Sequence, residues 1–319
     1  MRGVLRGVVN PSGEKLWRVD LLDSQMIWYE LVLRNLHPEV DSRTAMKGVI
    51  RQLKRKHEDY FNRRFVYFIC SREKVRFSVQ RQARFSFLRR KLVIHLEIGS
   101  ERRLKRCVVP AALLRRISGI GRSVLPQVEN SDIAITCTYP GGQKVTTSIH
   151  DFLLDAGINL GINTCIHYVG MTKNPDTRPL LRKHDGRTRT LALTRDASRD
   201  IFFFYNTFAV RCLASDPHIV YWLSNAMTDE VDIQTEGLLL EKLLIGYFKP
   251  DCQGNLQSEC TQLQNLFWKL ADSRKITRMS VDLEVLDTSE YYTFYSSQAP
   301  PSSAHVFSVC PMDSVSSPK

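Results

Sequence analysis

Short runs rich in Val, Ile and Phe constrain the fold most, because each has the length of a β-strand and is too apolar to stay in water. RFVYFIC, KLVIHLEI, CIHYVGM and DIFFFYNTF are continuous runs of this kind. The segments KVRFSVQ and ARFSFLR alternate apolar and polar residues, which predicts strands with one buried face. We therefore expect β-sheet in both halves of the chain.

Helical periodicity appears in three longer segments, at residues 42–56, 235–248 and 259–273. The first has Ser42 as its expected N-cap and places its apolar residues at helical spacing on one face: Met46, Val49, Ile50 and Leu53. Most of its basic residues lie off that stripe. Such a helix buries one side and presents a cationic side, which suits contact with a phosphate backbone.

Length and composition favour a globular protein of two domains. The chain has 319 residues, of which 43% are hydrophobic and 24% charged, so it can bury a sizeable core. It contains no unbroken apolar run of about 18 residues, and its first residues lack the apolar stretch of a signal peptide. We therefore expect a soluble, cytoplasmic protein with no membrane span.

The eight cysteines are spread along the chain with no C-x-x-C pair. Their spacing gives little support for a zinc site. Most lie in apolar, strand-like contexts, where a free thiol behaves as a small hydrophobic side chain. We expect them to be buried free thiols.

Charge is distributed unevenly around a net value of +12. Residues 43–124 hold 23 Lys and Arg against 5 Asp and Glu, whereas residues 125–319 hold 17 against 22. A strongly basic segment favours a polyanionic partner, because each neutralised phosphate releases condensed counterions. A solvated cationic surface, or one that binds anionic membranes, is the alternative.

A polar, Pro-containing stretch near residues 124–131 predicts the domain boundary. We expect a basic nucleic-acid-binding α+β domain at residues 1–127 and a second domain at residues 128–319. The side chains expected to contact nucleic acid, most simply DNA, are Arg51, Lys54, Arg55, Arg63, Arg64, Arg89, Arg90 and Lys173.

Residues 166–184, IHYVGMTKNPDTRPLLRKH, combine residue types that phosphodiester hydrolysis requires. Tyr, His or Lys can move a proton, and Arg can hold a phosphate. A carboxylate can hold Mg²⁺, and Glu241 lies on the predicted helix at residues 235–248. These residue types alone are common in any basic domain.

Two motifs resemble the GIY-YIG nuclease superfamily. YVGMTKNPDTR is similar to the second half of its signature, with Arg178 ten positions after Tyr168. LLEKLLIGYFKPDCQGN is similar to its second motif, in which a helical Glu precedes Leu-Ile, a Pro and an Asn. The resemblance covers roughly 100 residues, and the order of the two motifs makes it more specific than either alone.

The resemblance implies a role for each matching residue. Tyr168 would activate the water, Gly170 would let the backbone approach the phosphate, and Arg178 would bind the scissile phosphate. Glu241 would hold one divalent cation, most simply Mg²⁺. His184 would be a proton-transfer partner, and Asn255 would support the site or the backbone near it.

Three departures from the family pattern concern the same motifs. No Gly-Ile-Tyr is present, and the nearest equivalent strand ends at Tyr139. Pro179 follows Arg178, and His184 comes six residues after Arg178 where four is usual. The expected fold is α+β, with a small antiparallel sheet flanked by helices in the second domain.

The expected function is metal-dependent cleavage of nucleic acid by an endonuclease of restriction, repair or mobile-element type. A noncatalytic nucleic-acid-binding protein with a degenerate nuclease core is the alternative. A membrane-surface adaptor that uses the basic face is a third hypothesis.

Overall fold

The computed structural model describes residues 15–35, 41–56, 65–86, 91–114, 125–172, 188, 192, 198–215, 220–224, 233–285 and 289–310. The strands are β1 Lys15–Trp28, β2 Phe65–Glu73, β3 Val75–Phe77, β4 Arg84–Phe85, β5 Lys91–Ile98, β6 Arg103–Pro110, β7 Gln127–Asn130, β8 Ala134–Thr138, β9 Lys144–Ser148, β10 Thr164–Thr172, β11 Arg199–Ser215, β12 Val220–Ser224, β13 Ile276–Glu284, β14 Phe294–Tyr295 and β15 Ala304–Val309. The helices are α1 Glu30–Leu33, α2 Ser42–Lys56, α3 Ile149–Asp155, α4 Ile233–Phe248 and α5 Leu256–Arg274, and a 3₁₀ turn spans Glu290–Tyr292.

An eight-stranded mixed sheet dominates the structure. Its strand order is β14-β10-β2-β11-β1-β13-β15, and β12 pairs with the end of β11. Strand β1 pairs with β13 in parallel, and so does β10 with β14, whereas the other neighbours are antiparallel. The prediction of a small antiparallel sheet flanked by helices is therefore wrong. The additional strands come from both ends of the chain.

Strands from both sides of the predicted boundary at residues 127 and 128 alternate in this sheet. Strand β11 lies between β2 and β1 and pairs with both of them along much of its 17 residues. The boundary therefore divides the sequence but does not divide the large sheet into two units. Backbone hydrogen bonds of this kind join segments without regard to their distance along the chain.

Two smaller sheets form between β2 and β10. One contains β3, β4, β5 and β6, and the other contains β7, β8 and β9. Only Lys74 separates β2 from β3, so the chain passes directly from the large sheet into the four-stranded sheet. Residues 74–163 are thus inserted between two strands that are neighbours in the large sheet.

The two sides of the large sheet differ in character. The first, which we call the core face, includes Phe68 and Phe204 and packs against apolar residues of α4 and α5. The second, which we call the tyrosine face, carries a separate buried cluster of Ile27, Tyr29, Ile50, Tyr67, Ile69, Ile201, Phe203 and Tyr205, with Tyr168 packed against it. Successive residues of a strand point to opposite faces, so the same strands build both sides.

Helix α2 begins and ends where the sequence predicts, and Ile50 is its buried contact with the tyrosine face. Its cap differs from the prediction by one residue, because the side chain of Asp41 accepts a hydrogen bond from the Thr44 backbone N–H at 3.2 Å. Val49, expected on the buried side, is exposed. Within the described ranges, no helix is long and apolar enough to cross a membrane.

Candidate functional site

A row of tyrosines crosses the centre of the tyrosine face. Tyr67 on β2 is the register partner of Gly170 on β10 and of Tyr205 on β11. The ring of Tyr67 stacks with that of Tyr168, with centroids 6.1 Å apart, and lies 6.5 Å from that of Tyr205. Three adjacent strands therefore place three phenol rings side by side.

Gly170 provides the space for this arrangement. A Cβ atom at this position would lie 2.5 Å from the hydroxyl oxygen of Tyr67 and 2.7 Å from Cε1 of Tyr168. Both distances are shorter than van der Waals contact, so a larger residue would displace the rings. Gly170 lies within the strand and not at a turn, so its role is to admit the two tyrosine rings.

Tyr67 is the tyrosine that the sequence did not identify. The nearest equivalent of the family's first-strand tyrosine, Tyr139, follows β8 in the three-stranded sheet, is buried, and donates its hydroxyl hydrogen bond to the Leu114 carbonyl at 3.1 Å. Its strand is therefore not a neighbour of β10. The strand of Tyr67 was recognisable as the apolar run RFVYFIC, but the inserted residues 74–163 concealed its pairing with the strand of Tyr168.

The predicted catalytic residues fall partly within the described structure. Tyr168 is half-buried on β10, and Glu241 is half-buried on α4, which contacts β10. The apolar residues of α4 belong to the core face, whereas Tyr168 belongs to the tyrosine face. A shared site therefore depends on the Glu241 carboxylate reaching the tyrosine face past β10. Arg178 and His184 lie outside the described residues.

Asn255, expected to support the site or the backbone near it, holds backbone at the start of α5. Its side chain accepts a hydrogen bond from the Ser258 backbone N–H at 3.1 Å and caps α5. An Asn at this position satisfies one of the amides that a helix leaves without a partner in its first turn. Asn255 therefore fixes the start of α5.

A polar network lies beside Tyr168. A β-bulge occurs between Ile166 and Tyr168, and the imidazole of His167 at this bulge contacts the side chain of Ser71. The Nε2 atom of His167 lies 2.6 Å from the Ser71 Oγ atom, and its Nδ1 atom lies 2.9 Å from an Asp251 carboxylate oxygen. Arg199 donates a hydrogen bond from Nε to the same Ser71 oxygen at 2.7 Å.

The charges in this network stabilise each other. Burial alone would lower the pKa of His167, but the combined interactions with Asp251 and Cys165 outweigh it and raise the pKa to about 9. Burial would raise the pKa of Asp251, but its interactions with His167 and Cys252 together hold it below its usual value. Without a competing ligand, the pair is ionised at neutral pH.

The loop that follows α4 lies along β10 and delivers Asp251. The Cys252 backbone N–H donates to the His167 carbonyl at 2.9 Å, and the Val169 backbone N–H donates to the Gln253 side chain at 3.2 Å. These bonds are possible because β14 pairs only with Thr164 and Cys165, which leaves the rest of this strand edge to the loop. The helix of Glu241 is thereby fastened to the strand of Tyr168.

The predicted nucleic-acid contacts are described only in part. Arg51 and Arg55 are exposed on α2, one turn apart, and Ile50 of the same helix packs in the tyrosine-face cluster. The side chain of Lys54 and all of Arg63, Arg64, Arg89, Arg90 and Lys173 lie outside the described residues. A cationic side of α2 is therefore exposed next to the tyrosine face.

Part of the basic charge predicted to face a partner is instead used within the protein. Arg72 is only 2% exposed and forms an ion pair with Glu290 at 2.6 Å. Arg76 pairs with buried Asp200 at 2.8 Å. Carboxylates from the acidic half thus neutralise arginines from the basic segment, as buried charges require.

A second cationic surface lies on the outer side of the four-stranded sheet. Arg106 on β6 is exposed and pairs with His95 on β5. Arg84 on β4 pairs with Val93, which is two residues before His95 and therefore on the same side of β5. Burial lowers the pKa of His95, and the positive charges of Arg81, Arg106 and Arg84 lower it further. The field at this surface therefore disfavours an added proton and favours an anion.

Comparison with known proteins gives no relative for this chain. The sequence matches no family model, and no curated protein or solved structure is detectably similar to it.

Proposed function

We propose that the protein is a metal-dependent endonuclease that hydrolyses phosphodiester bonds of nucleic acid, with DNA as its substrate. The observation that carries the proposal is the Tyr67–Tyr168 pair, which two neighbouring antiparallel strands hold against Gly170. Tyr168 is half-exposed whereas Tyr67 is buried, so Tyr168 is the phenol of the pair that can meet a substrate. The resemblance of Tyr168 and Glu241 to the GIY-YIG superfamily supports the same function.

The proposed chemistry assigns one task to each group. Tyr168 orients the attacking water and accepts its proton, with Tyr67 as its stacked neighbour. Glu241 would hold one Mg²⁺ ion if its carboxylate reaches past β10 to the tyrosine face, and the ion would neutralise charge on the scissile phosphate. Arg178 stabilises the charge of the scissile phosphate, and His184 assists proton transfer to the leaving oxygen.

The cationic side of α2 supports nucleic acid as the substrate. Arg51 and Arg55 are exposed on a helix whose opposite side reaches the tyrosine face through Ile50. A phosphate backbone bound along this helix would lie beside the proposed site. Sequence-independent phosphate contacts supply much of the affinity of such enzymes, because a small catalytic site provides little by itself.

A noncatalytic nucleic-acid-binding protein is the second candidate, and the outer side of the four-stranded sheet favours it. Arg84, Arg106 and His95 form a cationic surface there that does not involve the tyrosines. Such a surface can bind nucleic acid without any cleavage. The two candidates make opposite predictions for the same assay.

Nicking of supercoiled plasmid, with and without Mg²⁺, tests the proposal directly. We expect the full chain to nick DNA only with Mg²⁺, and Glu241→Gln to lose this activity while retaining DNA binding in fluorescence anisotropy. Glu284→Gln is the matched control, because Glu284 is an exposed carboxylate on β13 outside the site. Activity that survives Glu241→Gln would overturn the metal assignment.

The same experiment separates the alternatives. Binding of DNA and RNA without cleavage of either, under any divalent cation, would favour the noncatalytic protein. Salt-sensitive binding to anionic vesicles, with no binding to DNA, would favour the membrane-surface adaptor. Cleavage of labelled RNA but not of plasmid would keep the mechanism and change the substrate.

A further inference from the structure

Three metal-binding side chains converge at the edge of the large sheet, on the polar network beside Tyr168. The Nδ1 atom of His167, the carboxylate of Asp251 and the Sγ atom of Cys252 lie within 4.8 Å of one another. They come from two segments, strand β10 and the loop after α4, which backbone hydrogen bonds already hold together. From this convergence we infer that His167, Asp251 and Cys252 form a transition-metal site, for which Zn²⁺ is the fitting ion.

The donor set determines which metal fits. Imidazole nitrogen and thiolate sulfur are ligands for zinc and softer metals, whereas Mg²⁺ and Ca²⁺ require oxygen. Tetrahedral zinc, with bonds of about 2.0–2.3 Å, places its ligand atoms about 3.6 Å apart. The His167 and Asp251 donors, 2.9 Å apart, must open by about 0.7 Å to reach that spacing, and a pair separated by the full 4.8 Å must close by about 1 Å. The side chain of Asp251 is 50% exposed and is therefore able to rotate inward.

The surroundings of the three residues are also those of a metal site. His167 and Cys252 are buried, while Asp251 faces solvent and leaves an approach for the ion and a water as fourth ligand. Metal-bound histidine commonly donates its other ring N–H to an oxygen acceptor. The Nε2 atom of His167 has such an acceptor in Ser71 Oγ at 2.6 Å, which also accepts from Arg199.

Binding exchanges protons for the ion. Zn²⁺ replaces one proton on His167 Nδ1 and one on Cys252 Sγ, both of which pass to solvent, and the hydrogen bond between His167 and Asp251 is exchanged for bonds to the metal. Nothing is oxidised or reduced. The bound ion would brace the loop after α4 against β10, and so hold the helix of Glu241 against the strand of Tyr168.

This site does not rest on the proposed nuclease activity, because metal binding is measured without any substrate. The metal-depleted full chain is titrated with Co²⁺ and then with Zn²⁺. We expect one equivalent of Co²⁺ to bind with a thiolate-to-cobalt charge-transfer band, and Zn²⁺ to displace it. A wild-type protein that shows no such band in excess Co²⁺ would overturn the inference.

Four variants assign the ligands. Cys252→Ser should abolish the charge-transfer band, whereas Cys260→Ser, which changes a half-buried cysteine on α5, should retain it. Asp251→Asn should retain the band and weaken Zn²⁺ binding by about tenfold or more, and Ser71→Ala should weaken it by about tenfold. A band that survives Cys252→Ser would place the metal elsewhere. If Cys252→Ser does not fold, the test rests on Asp251→Asn, which changes a more exposed side chain. A Zn²⁺ affinity equal to that of the wild type in this variant would overturn the site.

Discussion

The two faces of the large sheet are built by the same strands but follow different chemistry. On β2, Phe68 points into the core face and packs edge-on against Phe248 and Phe294. The adjacent Tyr67 points to the tyrosine face, where a glycine and two further phenols surround it. Apolar packing dominates the core face, whereas the tyrosine face brings three phenol rings together beside the network of His167, Ser71 and Arg199. Alternation along a strand allows stability and chemistry to be changed separately.

Truncation on the core face should have the largest effect on stability. Phe68 is fully buried, so Phe68→Ala should lower the free energy of unfolding by about 3–5 kcal/mol, through lost burial and the cavity left behind. Denaturant titration measures this change. Val306→Ala, at an exposed position of β15, should change stability by less than about 0.5 kcal/mol. Equal effects of the two variants would contradict the division into faces.

Adding a methyl group on the tyrosine face should lower stability by less than truncation on the core face, and a second substitution should relieve part of the loss. Gly170→Ala should cost about 1–3 kcal/mol, because the new methyl group meets Tyr67 and Tyr168. Combining it with Tyr67→Phe removes the nearest atom but keeps the ring carbon 2.6 Å away, so it should restore only a small part of the stability. Gly48→Ala is the matched control, since nothing lies within 4 Å of its Cβ position on α2, and it should stabilise by about 0.4–1 kcal/mol. A neutral Gly170→Ala would contradict the packing of the two rings.

The core face also contains a buried polar group that makes stability depend on pH. His150 lies 3.1 Å from Asp200 and 2.8 Å from the Tyr291 hydroxyl. Burial lowers the pKa of His150. Burial would raise the pKa of Asp200, but its bonds with His150 and Arg76 outweigh this and hold it well below the usual range. Neither group readily takes up a proton in the folded state.

The sign of the pH effect follows from where protons bind. As pH falls below about 6.5, the unfolded chain protonates His150 while the folded chain does not, so stability should fall by up to about 1.4 kcal/mol per pH unit. Below about pH 4, protonation of Asp200 in the unfolded chain should steepen the loss. Urea titrations between pH 8 and pH 3 measure it. His150→Gln should flatten the first step, and an unchanged profile would contradict the account.

Removing positive charge from α2 should weaken nucleic-acid binding more than substitutions on either face of the large sheet. The double variant Arg51→Ala, Arg55→Ala should lower the slope of log affinity against log salt concentration by about two, one for each lost phosphate contact. Anisotropy titrations at several salt concentrations measure it. Lys269→Ala with Arg274→Ala, at exposed positions of α5, is the control and should leave the slope unchanged. Equal salt-dependence slopes for the two double variants would show that α2 does not contact the nucleic acid.

Local elements were predictable from the sequence because their signals are local. Helix α2 has the predicted bounds, and the apolar runs that became β2, β5, β10 and β11 were recognised as strands. Strands β1, β13 and β15 were missed, although residues 17–21 of β1 and 279–284 of β13 alternate apolar and polar types; β15 has no such regular alternation. Strand β15, in the turn-rich C-terminal segment, pairs with β13.

The site was less predictable because it depends on which strands become neighbours. Tyr168 was identified from its motif, but its partner Tyr67 lies beyond the insertion of residues 74–163. The cysteine spacing gave no reason to group Cys252 with His167, since the two meet only after the loop following α4 folds along β10. Register and long-range pairing are set by tertiary packing, which no single segment encodes.

Plasmid nicking by Tyr168→Phe tests the central claim most directly, because it removes one hydroxyl from the tyrosine face and leaves the ring in place. We expect cleavage to fall by about 10²–10⁴-fold, with unfolding free energy changed by less than about 1 kcal/mol. Tyr247→Phe, a half-buried tyrosine on α4 that contacts His305, should cleave like the wild type. Full activity of Tyr168→Phe would contradict the account.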